Sequence, residues 1–468
     1  MTEAGKRSSG TGADLIIENI DLLVLGDERG TVLRNAWVGI EAGMISDFGE
    51  GASPVGFDAA TPRLNGAGQI ALPGLINTHH HLYQNMARAY SPGNNLPLLP
   101  WLKEMNLLWR EYREGDLALC TRVGLSELML SGATTVVDHH YMFPTGATGM
   151  LDLQFEVASE MGVRFHGCRG SMDLASPLIS EWAVEETDFI LEDTLRLVET
   201  YHDKGKGSWR QVVVAPCAAT SCSEELLRRS AELAKAHELG LHTHCGETVD
   251  ENEFSISRFG CRPMAYLLDC GWDGAKVWLA HGIHFDDEEL DQLKRLGFGV
   301  AHCPSANMRL GSGICRVPEM LKRGIAVGIG VDGSASSDSG HLLGELRQAL
   351  YLARVRYGAE AMTVAEALSL GGRQAAAVIG RGDLGQIATG YCGDLALFPA
   401  RDLYSSGAES VVEGLLFCQP RKVQNLVIGG CLKVRDGELL DVDLPSLIHQ
   451  HDERASAVRK AAFDAVGR

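Results

Sequence analysis

Between residues 70 and 332 short apolar runs of strand character alternate with longer segments whose apolar positions recur at helical spacing. The strand-like runs cover 70–78, 134–138, 163–168, 211–215, 241–244, 276–281, 298–302 and 325–332. Helices are predicted between most of them. In segment 224–238, Ser221 and Ser223 are candidate caps, Leu226, Leu227 and Leu233 form an apolar face, and Gly240 ends the pattern. Segment 286–296 places acids in its first turn and Lys294 and Arg295 in its last, which suits the helix dipole. Eight strands in about 260 residues, each followed by a helix, predict an α/β fold of the (β/α)8 TIM-barrel type over 71–387.

The flanks read differently. Residues 13–70 and 388–440 show short strands, at 15–19, 37–41, 44–48, 394–398 and 425–428, separated by turn signals such as Gly429-Gly430 and Asp436-Gly437. They predict a small β-sandwich domain built from both ends of the chain. Residues 441–468 predict a helical tail. Residues 1–12 are polar, rich in Gly and Ser and free of an apolar signal core, and are expected to be a disordered tail.

Composition narrows the function. Of 468 residues 45% are apolar, enough for a sizeable core. The net charge of -19 repels phosphate backbones and no local basic patch offsets it, so nucleic acid is not an expected partner. No run approaches the roughly 20 apolar residues of a membrane helix, so no membrane association and a cytoplasmic location are expected. Twelve cysteines include no Cys-x-x-Cys pair and read as small buried hydrophobes rather than metal or redox centres.

The histidines carry the chemistry through their positions. Five strands end in, or run into, a possible ligand: Asn77-Thr78-His79-His80-His81, then His244, His281, His302 and Asp332. Barrel active sites lie at the C-terminal ends of the strands. On an extended backbone His79 and His81 face one side and His80 the other. The set His79, His81, His244 and Asp332, with a water, is expected to hold one divalent metal, zinc first and ferrous iron second. A two-metal site needs a bridging group on the fourth strand, typically a carboxylated lysine, and 211–215 has no Lys. His281 is then free to bond the water or the substrate. Glu247, three residues after His244, is placed to move protons on a bound ring. Asp332 or His281 takes the proton of the attacking water.

Two look-alikes fail on spacing. His237-Glu238…His242 is one residue too long for His-Glu-x-x-His, and Pro216-Cys217 lacks the second Cys of the small zinc deaminases. His139-His140 reads as packing or a substrate wall. His166, His202, His237, His284, His341, His449 and His451 read as surface or packing residues.

Over residues 14–440 the chain resembles the amidohydrolase superfamily, in its branch of aminohydrolases acting on purines, pterins and hydroxy-s-triazines. The motifs are Leu72-Pro73-Gly74-Leu75-Ile76-Asn77-Thr78-His79-His80-His81, His242-Thr243-His244-Cys245-Gly246-Glu247-Thr248, Leu279-Ala280-His281-Gly282-Ile283-His284, His302-Cys303-Pro304-Ser305-Ala306-Asn307 and Gly330-Val331-Asp332-Gly333-Ser334-Ala335-Ser336. Segments 307–316, 331–336 and 345–350 are similar to the subgroup whose ring is an oxidised guanine. The resemblance implies the barrel, the small β-domain, a mononuclear site and hydrolytic release of ammonia from a small heterocycle. It implies Glu247, His281 and Asp332 as catalytic residues. It implies Gln84, Trp101, Cys217 and His281 around the substrate, and a homo-oligomer, dimer or higher. Three departures stand out: Ala218-Ala219-Thr220-Ser221 after Cys217 where Ser-Pro-Phe-Ser is usual, Cys245-Gly246 for Leu-Ala, and Ser337 for Asn.

Overall fold

The computed structural model describes residues 14–53, 60–113, 115–144, 147–175 and 181–467. The expected tail at 1–12 lies outside the described residues.

Eight parallel strands follow one another in chain order around the barrel: Leu75–Asn77, Ala133–His140, Arg164–Ser171, Arg210–Pro216, Gly240–Cys245, Lys276–His281, Gly299–His302 and Val327–Ile329. Their central residues are buried on both faces, as a parallel sheet covered by helices requires. The seam between the eighth and first strands is thin. It is held by Thr78, whose N–H and hydroxyl both donate to the Ile329 carbonyl at 2.9 and 2.8 Å, and by the Val331 N–H on Asn77 Oδ1 at 3.0 Å. Just beyond, Asp332–Gly333 pairs in parallel with His80–His81.

The helix ends follow their sequence signals. Ser223 caps Glu224–His237 by accepting the Leu226 N–H. Asp286 and Glu289 form a reciprocal capping box on Asp287–Leu296.

The first strand departs from its sequence reading. The run expected over 70–78 is two strands, because Gly74 breaks it. Gln69–Pro73 belongs to the terminal sheet and Leu75–Asn77 to the barrel. Gly74 sits against the second barrel strand, where a Cβ would fall 2.2 Å from Thr134 Oγ1. Gly74→Ala is therefore expected to destabilise the fold by about 1–3 kcal/mol through overpacking, read as a lower thermal midpoint. An unchanged midpoint would show that the two layers part easily.

Both terminal segments meet in one mixed sheet of nine strands among the described residues. The order across it is Glu438–Leu439, Cys431–Arg435, Asn425–Ile428, Leu395–Pro399, Gln69–Pro73, Leu15–Val24, Val32–Glu41 and Met44–Glu50, with Arg63–Asn65 also on Leu15–Val24. A buried two-pronged ion pair, Arg164 Nε and Nη2 on Asp394 at 2.8 and 3.1 Å, ties this sheet to the barrel. The C-terminal helix, Leu444–Val466, packs on the barrel rather than standing free. His451 Nε2 lies 2.9 Å from Asn85 Oδ1, and Arg454 bonds both oxygens of Asp116 at 2.6 and 2.8 Å. No helix among the described residues is long and apolar enough to cross a membrane.

Candidate metal centre and substrate cavity

The hydrogen bonds of each ring fix which nitrogen faces the centre. His242 Nδ1 lies 2.8 Å from the Trp278 carbonyl, which only accepts, so Nδ1 carries the proton and Nε2 accepts. His79 Nδ1 lies 2.8 Å from that Nε2 and must donate to it. His79 Nε2 is then a lone pair, buried and without a hydrogen-bond partner. His81 Nδ1 donates to the His139 carbonyl at 2.6 Å, and His244 Nδ1 to the Cys217 carbonyl at 2.7 Å. Their Nε2 lone pairs face each other across 3.1 Å. Asp332 Oδ1 lies 3.3 Å from His81 Nε2 and 3.5 Å from His79 Nε2.

Four acceptors thus converge with no proton among them. Burial first, and neighbouring imidazoles second, push His79 and His244 well below the ordinary range, so neither is a natural proton carrier. Burial also lowers His81, against the pull of Asp332. Such a set repels itself unless a cation sits among it, and its N3O composition suits a borderline divalent ion. The outer bonds, His242 on His79 and two carbonyls on His81 and His244, hold the rings in their ligand tautomers.

His281 and Glu247 stand beside this set. His281 Nδ1 faces Asn307 Oδ1 at 2.9 Å, and its Nε2 is 3.7 Å from Glu247 Oε2. Burial disfavours the charged imidazole, but the Glu247 and Asp332 carboxylates and the Asn307 bond outweigh it and hold His281 above its ordinary range. Burial raises the Glu247 carboxyl, with His281 opposing and Asp332 adding to the effect. Burial tends to raise Asp332 too, yet His281, His81 and His244 overcome it and keep the carboxylate ionised. His281 and Asp332 both have left-handed backbones, at φ +72° and +60°, a strain of order 1–3 kcal/mol each that the surrounding fold sustains.

A cavity of about 300 Å³ opens onto the group. Gln84, Trp101, Cys217, Glu247, His281 and Asp332 all line it. Trp101, on the helix Leu98–Trp109, is buried with its ring edge-on to Trp109. Cys217 plays two parts: its side chain lines the cavity, while its carbonyl receives the His244 ring, the His244 N–H and the Thr243 hydroxyl. Ala218, Thr220 and Ser221, from the departing loop, also reach the wall.

Three positions escape a reading by spacing. His139 stands within the His79, His81 and His244 cluster, its Nε2 donating to the Ala215 carbonyl at 2.9 Å. His242 orients His79. Glu251 is half-buried beside Glu247, whose N–H donates to its Oε2 at 2.8 Å, and it also lines the cavity. The Glu247-Thr248…Glu251 spacing signals the helix start at Val249, with Thr248 as the cap, but not this bond.

Outside the centre, His140 and His302 are buried and neutral, pushed down to about 3 by burial and then by Arg169 and His281 respectively. Unfolded, both protonate near about 6.5. Their folded values are depressed, so their contribution is complete above about 6.5 and falls by about 1.4 kcal/mol per histidine per pH unit below it. The thermal midpoint is expected to drop steadily as pH falls from about 6.5. His140→Gln should flatten that slope, and an unaltered slope would remove the assignment to His140.

The amidohydrolase family model matches residues 70–431. An 8-oxoguanine deaminase of Pseudomonas aeruginosa is 44% identical over 423 residues, covering 90% of this chain and 94% of that protein. An isoxanthopterin deaminase from an unknown prokaryotic organism is 33% identical, over 79% of this chain and 84% of its own length. Among solved structures, atrazine chlorohydrolase of Arthrobacter aurescens TC1, complexed with zinc, superimposes with a TM-score of 0.89 at 29% identity, over 95% of this chain and 99% of the other.

Proposed function

The chain belongs to the amidohydrolase family, and on that premise we propose that it is a deaminase converting 8-oxoguanine and water to urate and ammonia. The 44% identity with the Pseudomonas enzyme, over nine-tenths of this chain, carries the choice of ring. His79, His81, His244 and Asp332 are its metal ligands, and zinc is the ion the donor set favours, with ferrous iron second. A bound divalent ion lowers the pKa of a water it holds towards neutrality, so that the nucleophile exists near pH 7.

The remaining work belongs to side chains. Asp332 and His281 flank the water site and receive its proton. His281 is suited to this because Asp332, and Glu247 once it has delivered its proton, stabilise its charged form. Glu247, raised by burial, carries a proton at neutral pH more readily than a solvated carboxyl and delivers it to the ring nitrogen beside the attacked carbon. The tetrahedral carbon then expels the amino group, which leaves as ammonia with the first proton taken from the water, while the carbon's hydroxyl becomes the ring carbonyl and returns its proton to Glu247. Gln84 holds the ring edge, Trp101 walls it, and loop 217–221 shapes the rim.

One observation favours a second reading. Leu98, Leu99, Leu102 and Phe254 give the cavity apolar walls. Such walls would suit a hydroxy-s-triazine that loses an alkylamine. Ammonia and alkylamine release from 8-oxoguanine, guanine, isoxanthopterin and hydroxyatrazine, measured side by side, separates these readings. Fastest turnover is expected with 8-oxoguanine. None with it, alongside rapid turnover of another ring, would overturn the choice.

A further inference from the structure

The cavity floor carries a chain of hydroxyls that the reaction scheme does not use. Gln84 Nε2 lies 3.4 Å from the Tyr83 hydroxyl and donates to it. Tyr83 and Tyr141 are hydrogen-bonded through their hydroxyls, with ring centroids 5.7 Å apart and planes at 89°. The Tyr83 oxygen already receives the Gln84 amide, so its own proton goes to Tyr141. The Tyr141 proton is left for an acceptor elsewhere. Tyr141 lines the cavity and packs edge-on against His81, with centroids 5.0 Å apart.

The other end of the chain is also unfinished. Gln84 is 1% exposed and lines the cavity, yet its Oε1 is buried without a partner. Gly333 makes room for it, since a Cβ there would fall 1.8 Å from that oxygen. An orphaned acceptor at this depth costs about 1–3 kcal/mol unless a ligand satisfies it.

We propose that Tyr141 is a specificity-determining residue: its hydroxyl donates to a ring carbonyl while Gln84 Oε1 accepts the neighbouring ring N–H, so the pair reads a lactam edge. Tyr83 is a positioning residue that aims the Tyr141 proton by occupying its oxygen. This deepens the deaminase reading and rests on it. It selects oxidised rings, which present adjacent N–H and C=O groups, over rings whose nitrogen at that edge is a bare acceptor. Such a ring would meet the Gln84 oxygen acceptor to acceptor.

The test uses Tyr141→Phe, Tyr83→Phe and the double variant, with metal content checked in each. Turnover is measured on whichever ring of the panel the wild type deaminates fastest, so that choice is settled before the variants are compared. Urate binding by calorimetry gives the same comparison without turnover. Tyr141→Phe is expected to raise KM, and Kd for urate, about tenfold with kcat changed little and metal content unchanged. Tyr83→Phe should raise both by less. The double variant should be no worse than Tyr141→Phe, because Tyr83 acts only through Tyr141. Unchanged KM and Kd in Tyr141→Phe would overturn the proposal, and so would effects of the two variants that multiply. Should Tyr141→Phe fail to fold, Gln84→Met tests the other end: a tenfold rise in Kd for urate supports the lactam edge, and none overturns it.

Discussion

Glu247→Gln is expected to keep its metal and lose about 10²–10⁴-fold in kcat. The substitution preserves size and leaves His79, His81, His244 and Asp332, the proposed ligands, untouched. What disappears is a buried carboxyl that lines the cavity and stands 3.7 Å from His281 Nε2. The amide can donate a hydrogen bond but cannot pass on a proton. The loss should be in kcat more than in KM, because the proton moves only as the ring is attacked. Metal analysis and steady-state kinetics on one preparation check both halves. Activity within tenfold of wild type would move the proton-carrying role to another group, and Glu251, which also lines the cavity, would be the next to examine.

Asp332→Asn is expected to lower both metal retention and turnover, each by more than the about 10–100-fold typical of losing an outer partner of a ligand. The carboxylate contributes the only negative charge among the four acceptors. It also helps raise His281 above its ordinary range and faces His79 and His81 at 3.5 and 3.3 Å. An amide at the same place weakens the cation's hold and the stabilisation of His281 together. Stoichiometric metal with full kcat in Asp332→Asn would show that another residue completes the set, and His139, already within the cluster, is the nearest candidate.

Much of this arrangement can be read along the chain because it is written in local signals. Strand order, the cap at Ser223, the acids opening the 286–296 helix and the placing of histidines at strand ends depend on neighbours a few residues apart. The two-residue spacing of His79 and His81 suffices to put them on one side. Other features are long-range and leave no local trace. Gly74 divides the first strand because Thr134, sixty residues on, leaves no room for a side chain. His242 becomes the partner of His79 only because the Trp278 carbonyl on the next strand claims its other nitrogen. A carbonyl at Cys217, invisible to any reading of side chains, fixes the His244 tautomer. His451 meets Asn85 across 366 residues, so a segment that reads as a tail packs against the element carrying Gln84.

The thin seam of the barrel has a consequence for how the molecule assembles. The Thr78–Ile329 contact closes a loop of 251 residues; its Asn77 neighbour, the short pairing of His80–His81 with Asp332–Gly333, and Leu370-Gly371, whose carbonyls accept the Ile329 and Ile76 N–H groups, complete the junction of the two edges. Closure of so long a loop is entropically costly and comes late in folding. His79 and His81 stand on one lip of that seam and Asp332 on the other. Bare, the lips carry facing acceptors and push apart; bridged by a cation, the same atoms become a latch. Closing the barrel is therefore expected to be the same step that brings the proposed ligands together, so that the site takes shape only as the fold is completed.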